Sequence, residues 1–299
     1  MAKVTIEDIS QQTGLSRGTV SRALNNRPDI SPATRQRVLE ACTRLNYIPS
    51  FAARSLATGR SFAVAVVVRD LDDVLARHAL RGLMESALSE SYAVHVVETG
   101  RGSGSEPLRS LSAERIDGAL LVDPLTGEGL EYLREALADR KLVSCQPLDG
   151  LACDVFEPDD VECGRLAARV ALRRADARVC YVHHSGSERR DRRRNGFVET
   201  FSQQRSAPQV LSLNGAEWAA AELPGVVRTA AGEVDVLVPD DDRLAVRLML
   251  ECVRAGRRVG GDVAVIGQGN APCCEWIRPT LTSSDPRGEE IGRRAMEAM

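Results

Sequence analysis

The chain has 299 residues, of which 27% are charged, and its formal net charge at pH 7 is −3. This length exceeds one ordinary domain and allows two or three domains with cores of their own. Its apolar runs fall short of the roughly eighteen residues that a membrane span needs, and the Met-Ala-Lys start lacks the apolar core of a secretory signal. We therefore expect a cytoplasmic protein that has no membrane as a partner.

Charge is distributed unevenly along the chain. Residues 1 to 60 carry nine Lys and Arg against four Asp and Glu, a net of +5, so the remaining residues carry −8. A basic head on an acidic body is expected when only the head meets a polyanion such as DNA. Chance fluctuation over a short stretch is the alternative that charge alone leaves open.

The eight cysteines form no CxxC pair, and most lie in apolar segments. This pattern indicates small core residues in a reducing compartment and argues against a disulfide framework or a zinc site. His183 and His184 are adjacent, with Cys180 and Asp191 nearby, but no helical i, i+4 ligand pair appears. We predict neither a metal nor a cofactor.

The first predicted element is a helix of about two turns. Thr5 followed three residues later by Asp8 is a capping signature, and Gly14 ends the helix. Ser16 can then cap a second helix over residues 17 to 24. Helix, glycine turn and helix make the helix-turn-helix layout. The residues expected to face the core are Ile6, Ile9, Leu15, Val20, Ala23 and Leu24, and those expected to face outward are Arg17, Gly18, Ser21 and Arg22.

A third helix is predicted to open at Ser31-Pro32, as a cap followed by a first-turn proline. SFAARSLATG, residues 50 to 59, then forms a weakly apolar segment of eight or nine residues that Gly59 terminates. A segment this short is marginal as an isolated helix and would order only against something else. The residues of the third helix expected to pack on the first two are Val38, Leu39, Cys42 and Leu45.

Three stretches, VTIEDISQQTGLSRGTVSRALN, NYIPS and AARSLA, together resemble the LacI/GalR family of bacterial transcription regulators. In that family the second helix reads the major groove of each operator half-site, and a hinge leucine wedges into the minor groove. The resemblance implies that Arg17, Gly18 and Arg22 contact bases and that Leu56 is the wedge. The phosphate-contacting positions it implies are Thr5, Ser16, Thr19, Ser21, Asn25, Ser31 and Thr34.

The chemistry of these residues agrees with the resemblance. Arginine presents two parallel donors to O6 and N7 of guanine, which is worth about 1 to 3 kcal/mol of discrimination per contact. An apolar wedge such as Leu56 unstacks a base step and bends the duplex. Gly18 departs from the family, because this variable position often carries a side chain that selects a base. We expect relaxed reading at that base pair.

From residue 62 onward, short apolar runs alternate with amphipathic stretches. Such alternation predicts parallel doubly wound sheets, and two sets of it predict two lobes with a cleft between them. This body resembles the periplasmic-binding-protein-like sensor of the same family, in which the chain crosses between lobes near the middle and near the end. The predicted strands are FAVAVVV, AVHVV, GALLV, KLVSC, RVCYV, VDVLV and DVAVI, and the predicted helices span residues 76 to 90, 129 to 140, 188 to 204 and 243 to 255.

Ligands in open α/β sheets bind at the carboxyl ends of the strands, which here selects Arg69, Asp123 and Gln146. The family resemblance adds Arg193, three residues before a Gly-aromatic pair, and Asp242, the second acid of its Asn-Asp position. We take the other arginines of ERRDRRR as a solvated helix start. These are Arg189, Arg190, Arg192 and Arg194. By the same resemblance, the family's aromatic cleft residue is expected at Trp218.

Two departures from the family weaken the expectation of a sugar effector. Gly269 stands where relatives carry an acid that accepts sugar hydroxyls, and Cys145-Gln146-Pro147 replaces a common Asp or Asp-Arg. A ligand with its own acceptors and a degenerate pocket both stay open. The chain ends in the helix-like GEEIGRRAMEAM, whereas relatives usually continue, so a naturally short protein and a truncated product are both open.

Together these features predict an all-α helix-turn-helix head over residues 1 to 48, a hinge over 49 to 60 and a two-lobed α/β body over 61 to 299. The predicted function is a homodimeric, effector-responsive repressor that binds a pseudo-palindromic double-stranded DNA operator. The alternative is a small-molecule-binding protein with nonspecific or architectural DNA binding. An enzyme is not expected, because GRGSG lacks the last glycine of a dinucleotide fingerprint and no nucleophile motif occurs.

Overall fold

The structure is a computed structural model, and it describes residues 4–24, 27–47, 55, 58–100, 105–109, 111, 116–125, 127–184, 187–213 and 234–299. The chain divides into two compact units, Met1–Phe62 and Ala63–Met299. The first unit contains the predicted head and the first two residues of the predicted body, and the second unit contains the rest of that body. The predicted hinge lies mostly outside the described residues, so its boundaries stay a prediction.

The first unit contains three helices, α1 (Ile6–Thr13), α2 (Arg17–Leu24) and α3 (Pro32–Leu45). Gly14 ends α1 in the left-handed conformation that glycine tolerates best. The predicted inward residues form its core, with Ile9, Val20 and Val38 fully buried. Leu39 is a correction, because its side chain is 46% exposed and Ala41 is buried instead.

The first sheet of the second unit has five parallel strands in the order β2-β1-β3-β4-β5. The central strand β1 is buried at each of its six residues. This is the pattern of a strand covered on both faces, and it explains why the run is continuously apolar. The strands are β1 (Ala63–Val68), β2 (Ala93–Glu98), β3 (Gly118–Leu121), β4 (Lys141–Ser144) and β5 (Asp154–Val155).

The second sheet also has five parallel strands, in the order β10-β9-β8-β6-β7. Its strands are β6 (Val179–His184), β7 (Gln209–Leu213), β8 (Val236–Pro239), β9 (Ala264–Gln268) and β10 (Thr282–Ser284). The two sheets confirm the predicted class of doubly wound lobes. Strands β5, β7 and β10 were not predicted from the sequence.

Helices cover both sheets, and two of them carry the chain from one lobe to the other. α6 follows the last strand of the first sheet and packs on α7, which belongs to the second lobe. α10 follows the last strand of the second sheet and packs on α4 of the first lobe. The helices are α4 (Val74–Ser89), α5 (Glu128–Ala136), α6 (Asp160–Ala171), α7 (Glu188–Ser202), α8 (Asp242–Arg254), α9 (Cys273–Trp276) and α10 (Gly288–Ala298).

Both of these helix pairs depend on glycines at their closest approach. A Cβ atom on Gly164 of α6 would overlap the carbonyl oxygen of Arg193, and one on Gly196 of α7 would overlap that of Val161. In the other pair, Gly82 of α4 meets the backbone of α10 in the same way. The crossing helices are therefore fixed by backbone contact.

None of the helices in the described part of the chain combines the length and the apolar character required to span a lipid bilayer.

Candidate functional sites: a reading helix and a charged cleft

The exposed face of α2 carries the residues predicted to contact bases. The side chains of Arg17 and Arg22 are 71% and 54% exposed, and Gly18 between them is exposed as well. On the opposite side Val20 and Ala23 are buried against the other helices of the head. α2 therefore presents two guanidinium groups outward from a fixed position.

Each of these two arginines is paired with a carboxylate. Arg17 forms an ion pair with Glu7 of α1. Nη1 of Arg22 lies 3.2 Å from Oδ2 of Asp29, and its Nε donates to the carbonyl oxygen of Gly18 at 3.3 Å. Both pairs are exposed, and such pairs contribute little to stability, typically about 0 to 1 kcal/mol. They orient the guanidinium groups without locking them.

Five of the six hydroxyls predicted to contact phosphate lie at helix N-termini. Ser16 Oγ accepts the Thr19 N–H at 3.1 Å, and Ser31 Oγ accepts the Thr34 N–H at 3.2 Å. At α1 the N–H and the hydroxyl of Thr5 both donate to the Asp8 carboxylate at 2.8 Å. The backbone hydrogen bond from Thr5 holds the pKa of Asp8 below its usual value.

The first-turn N–H groups of such helices attract phosphate. Ser21 lies half-buried on α2, whereas Asn25 and the wedge Leu56 lie outside the described residues. The phosphate contacts and the wedge therefore stay predictions.

Two other basic residues of the head have a structural role. Arg37 of α3 donates to the carbonyl oxygen of Thr13 at the end of α1. Arg35 donates to the carbonyl oxygen of Arg27 at 3.1 Å and so holds the turn that contains Asp29. Part of the positive charge of the head thus fixes its turns and is not an independent signal of DNA binding.

In the second unit, the carboxyl ends of β1 and β3 bring two of the predicted cleft residues together. The N–H of Arg69 donates to Oδ2 of Asp123 at 2.9 Å, and its guanidinium donates to the carbonyl oxygen of Pro124 at 3.4 Å. Gln146 follows the neighbouring strand β4, where its N–H donates to Ser144 Oγ at 3.3 Å. The strand-end argument therefore placed these residues at one edge of the first sheet.

Asp73 is a cleft residue that the sequence analysis missed. Its carboxylate caps α4 by accepting the N–H groups of Leu75 and Ala76 at 2.9 and 3.2 Å. Burial and the nearby charge of Asp73 raise the pKa of Asp123. Burial would also raise the pKa of Asp73, but the charges of Arg189, Arg190 and Arg193 and the hydrogen bond from Ala76 together outweigh it, and the pKa is lowered. An Asp directly before a helical run is a capping signal that could have identified it.

The arginines at the start of α7 contradict the expectation of a solvated helix start. Arg189 is 11% exposed and lies 3.2 Å from Asp160, and Arg190 is 21% exposed and contacts Asp240 and Asp241 at 3.4 and 3.3 Å. Acids after β8 and at the start of α6 surround these arginines. The two others are also ion-paired, Arg192 with Glu157 and Arg194 with Asp191.

Arg193 is buried at the end of the second sheet. Its Nε donates to Asp160 at 3.1 Å and its Nη1 to the carbonyl oxygen of Asp240 at 2.8 Å. Burial would lower the pKa of Arg193, but the charge and hydrogen bond of Asp160, together with Tyr181 and Cys163, outweigh it, and the pKa is raised. Arg193 ties α7 to α6 and to the end of β8, and its contact with an effector stays a prediction.

His184, Asp240 and Asp241 are the one group of possible metal ligands found among the described residues. Asp240 accepts the His184 N–H at 2.8 Å, and His184 Nδ1 lies 3.2 Å from its other oxygen. Burial would raise the pKa of Asp240, but the His184 hydrogen bond and the Arg190 charge lower it. Because Arg190 already supplies a cation to both acids, the group fits an internal ion pair better than a metal centre.

Asp242 has both carboxylate oxygens engaged within its own lobe. It accepts the N–H of Ala271 and the hydroxyl of Ser283, both at 2.7 Å, and it is fully buried. This geometry favours a structural role in joining α8 to the ends of β9 and β10. Trp218, the predicted aromatic cleft residue, lies outside the described residues.

Burial raises the pKa of the Cys145 thiol, which follows β4, to about 12. The group is therefore a neutral thiol at neutral pH and not a nucleophile.

Sequence models of two families match the chain. The model described as bacterial regulatory proteins of the lacI family matches residues 5–50, and the model of a periplasmic-binding-protein-like domain matches residues 157–299. The first match lies in the head and the second covers α6 through α10.

Relatives match almost the full length of the chain. The regulator NtdR of the NTD biosynthesis operon in Bacillus subtilis is 24% identical over 98% of this chain and 90% of its own. The transcriptional repressor PurR of Vibrio vulnificus is 24% identical over 99% and 90%. The transcriptional regulator CelR of Thermobifida fusca is 28% identical over 97% and 88%.

The fold agrees with solved structures. The lac repressor dimer bound to operator and the anti-inducer ONPF superposes with a TM-score of 0.75 at 21% identity, over 99% of this chain and 91% of that one. This confirms a helix-turn-helix head with a two-lobed α/β body. The chain thus combines a head that matches bacterial regulatory proteins of the lacI family with a periplasmic-binding-protein-like domain, as its relatives among the LacI-family transcription regulators do.

Proposed function

We propose that the protein is an effector-responsive repressor that binds a pseudo-palindromic operator as a homodimer in the cytoplasm, where its DNA target lies. The observation that carries the proposal is the exposed pair of arginines on α2, Arg17 and Arg22, held outward by a packed three-helix head. Each can donate two parallel hydrogen bonds to guanine in the major groove. Gly18 between them offers no side chain for reading, which leaves that base pair relaxed.

A homodimer supplies the second reading helix. Two copies related by a two-fold axis would present α2 to two half-sites, which requires a pseudo-palindromic operator. The lac repressor structure, described as a dimer bound to operator, supports this arrangement. We further propose that Leu56 inserts at the centre of the site, because an apolar wedge there bends the duplex and adds contact area.

The effector site is proposed at the facing carboxyl ends of the two sheets. Its residues combine charged groups from both lobes, and Asp73 joins the set that the sequence predicts. Binding there would alter lobe closure and thereby favour one of two DNA-binding states. The proposed contacts are Arg69, Asp73, Asp123, Gln146, Arg193 and Trp218, whereas Asp242, also predicted from the sequence, is proposed to support the site through its hydrogen bonds to Ala271 and Ser283.

The chemistry of the effector is expected to differ from that of some relatives. A CelR structure contains cellobiose, and a regulator from Enterococcus faecium contains ribose. This chain has Gly269 where the family resemblance expects an acid for sugar hydroxyls. A ligand with acceptors of its own suits the arginines of the cleft better than a simple sugar.

Selection of genomic fragments by the full-length protein tests this function. The selected duplex should bind at least about 1,000-fold more tightly than random duplex at physiological salt, which is the lower range for specific regulators. A metabolite screen for release of that duplex would then identify the effector. Equal affinity for both duplexes would contradict the proposal and favour an architectural DNA-binding protein.

A further inference from the structure

The acids of the head are placed selectively. Of the four acids there, Asp8 caps α1, and Glu40 accepts a hydrogen bond from Gln36 on the same helix. The other two each face one of the arginines proposed to read bases. Glu7 pairs with Arg17, and Asp29 pairs with Arg22. Acids at a surface that must approach a polyanion reduce its affinity for phosphate, so their placement needs a reason.

From this placement we infer that Glu7 and Asp29 are specificity-determining residues, each reading a G·C base pair jointly with its arginine. The inference rests on the proposed function of α2. In the major groove, guanine offers two acceptors, N7 and O6, and its paired cytosine offers the N4 amino donor. A guanidinium beside a carboxylate presents the complementary set, two donors next to an acceptor. Arginine alone matches two of these three groups, and the carboxylate alone matches one.

The same pairs would lower the affinity for DNA of the wrong sequence. On random duplex an arginine gains mainly a phosphate contact. To make that contact, Arg17 or Arg22 must leave its carboxylate or bring it close to a phosphate, and both are unfavourable. On the right sequence the carboxylate keeps a partner, the cytosine amino group. The ion pair therefore penalises nonspecific binding more than specific binding.

The position of Asp29 argues against a purely structural role. An acid in the first turn of a helix, such as Glu7 in α1, also stabilises that helix through its dipole. Asp29 lies in the turn between α2 and α3, outside any helix. That turn is held without its carboxylate, by the N–H of Ile30 donating to the carbonyl oxygen of Arg27 at 3.2 Å and by Arg35. The Asp29 carboxylate is thus available to orient Arg22.

The experiment compares the full-length protein with Glu7→Gln, Asp29→Asn and the matched control Glu40→Gln. Each variant removes one negative charge from the head with little change of shape. Affinities for the selected operator and for random duplex are measured over a range of salt concentrations. Glu7→Gln and Asp29→Asn should each lower the ratio of the two affinities by about tenfold or more, which is the value of one good base contact. Random-duplex binding should tighten, and Glu40→Gln should leave the ratio within roughly twofold because no reading arginine contacts it.

A second readout uses the operator itself. Replacing the G·C pair read by Arg22 with A·T should weaken wild-type binding more than Asp29→Asn binding, because the variant has already lost the contact with the cytosine amino group while Arg22 remains. Ratios that match those of Glu40→Gln would overturn the inference while leaving the proposed function intact. A wild-type protein without preference for its selected duplex would overturn both. Circular dichroism checks that α1 persists in Glu7→Gln, and the Asp29→Asn result decides the question if it does not.

Discussion

Arginine serves opposite purposes in the two units of this molecule. In the head, Arg17 and Arg22 are more than half exposed and each contacts one carboxylate. At the start of α7, Arg190 and Arg193 are largely or fully buried, and each bridges two structural elements. An arginine in an exposed ion pair can exchange its carboxylate for a base at little cost in free energy. A buried ion pair cannot be broken without leaving an unpaired charge out of water. Residue type alone therefore does not distinguish a reading arginine from a structural one.

Breaking the buried ion pair between Arg193 and Asp160 should have the largest effect on the free energy of unfolding. Arg193→Met leaves Asp160 buried beside one partner fewer, and loss of one member of a buried pair typically costs about 3 to 5 kcal/mol. Urea denaturation of the second unit would measure this change in the free energy of unfolding. Arg254→Met is the control, since Arg254 is 73% exposed and its pair with Glu251 should be worth about 1 kcal/mol or less. Similar losses in both variants would remove the distinction between the two kinds of arginine.

The backbone contact between α6 and α7 should be the next most sensitive feature. In Gly164→Ala the new methyl group overlaps the carbonyl oxygen of Arg193, which cannot move away without shifting α7. Overpacking of this kind typically costs about 1 to 3 kcal/mol. The same denaturation experiment measures it, and an unchanged midpoint would show that the two helices separate easily.

A glycine in the head should respond in the opposite direction. The nearest atom to a Cβ on Gly18 is Ser16 Oγ at 3.8 Å, an ordinary contact distance. Gly18→Ala should therefore stabilise α2 by up to about 1 kcal/mol through helix propensity. Hydrogen exchange of the Val20 and Ala23 amides would report the gain. Faster exchange in the variant would mean that the glycine conformation is needed at this position.

Asp123→Asn should give the smallest effect on stability, and the size of that effect should depend on pH. Burial and the charge of Asp73 raise its folded-state pKa, so its contribution to stability is present below the unfolded pKa of about 4 and is lost as pH rises through the folded value. Asp123→Asn removes the ionisable group, so the variant does not lose this stability as the pH rises. The variant should be more stable than wild type at pH 7, and the difference should vanish near pH 4. Urea midpoints across this range would test it, and a constant difference would exclude titration of Asp123 as the cause.

The sequence predicted the parts of the fold that depend on local pattern. Capping residues and the helical spacing of apolar residues predicted α1, α2 and α3. Continuous apolar runs predicted seven of the strands. β5 has only two residues and β10 is Thr-Ser-Ser, so neither carries an apolar signal. Helix α6 was also missed, because its buried residues are an Asp, a Cys, a Gly and three alanines and include no large apolar side chain.

The sequence predicted where the candidate site residues lie on the sheet, but it did not predict which residues form ion pairs with them. Arg69 and Asp123 lie together because parallel strands bring their carboxyl ends to one edge, and their contact with an effector stays a prediction. Asp160 and Asp240 were missed, although they hold Arg193 and Arg190. These contacts join residues about thirty to fifty positions apart, which no local period encodes. The prediction that Leu39 packs in the core was wrong for a similar reason. The face that α3 turns to the core depends on how the other two helices pack.

The central claim is that the exposed arginines of α2 read bases. Its most direct test is the affinity of Arg22→Ala for the selected operator and for random duplex, in the full-length protein at physiological salt. Loss of a base contact worth about 1 to 3 kcal/mol predicts operator binding that is roughly 5- to 150-fold weaker, with random-duplex binding nearly unchanged. An equal loss on both duplexes would contradict the account, because it would show that Arg22 contacts only phosphate.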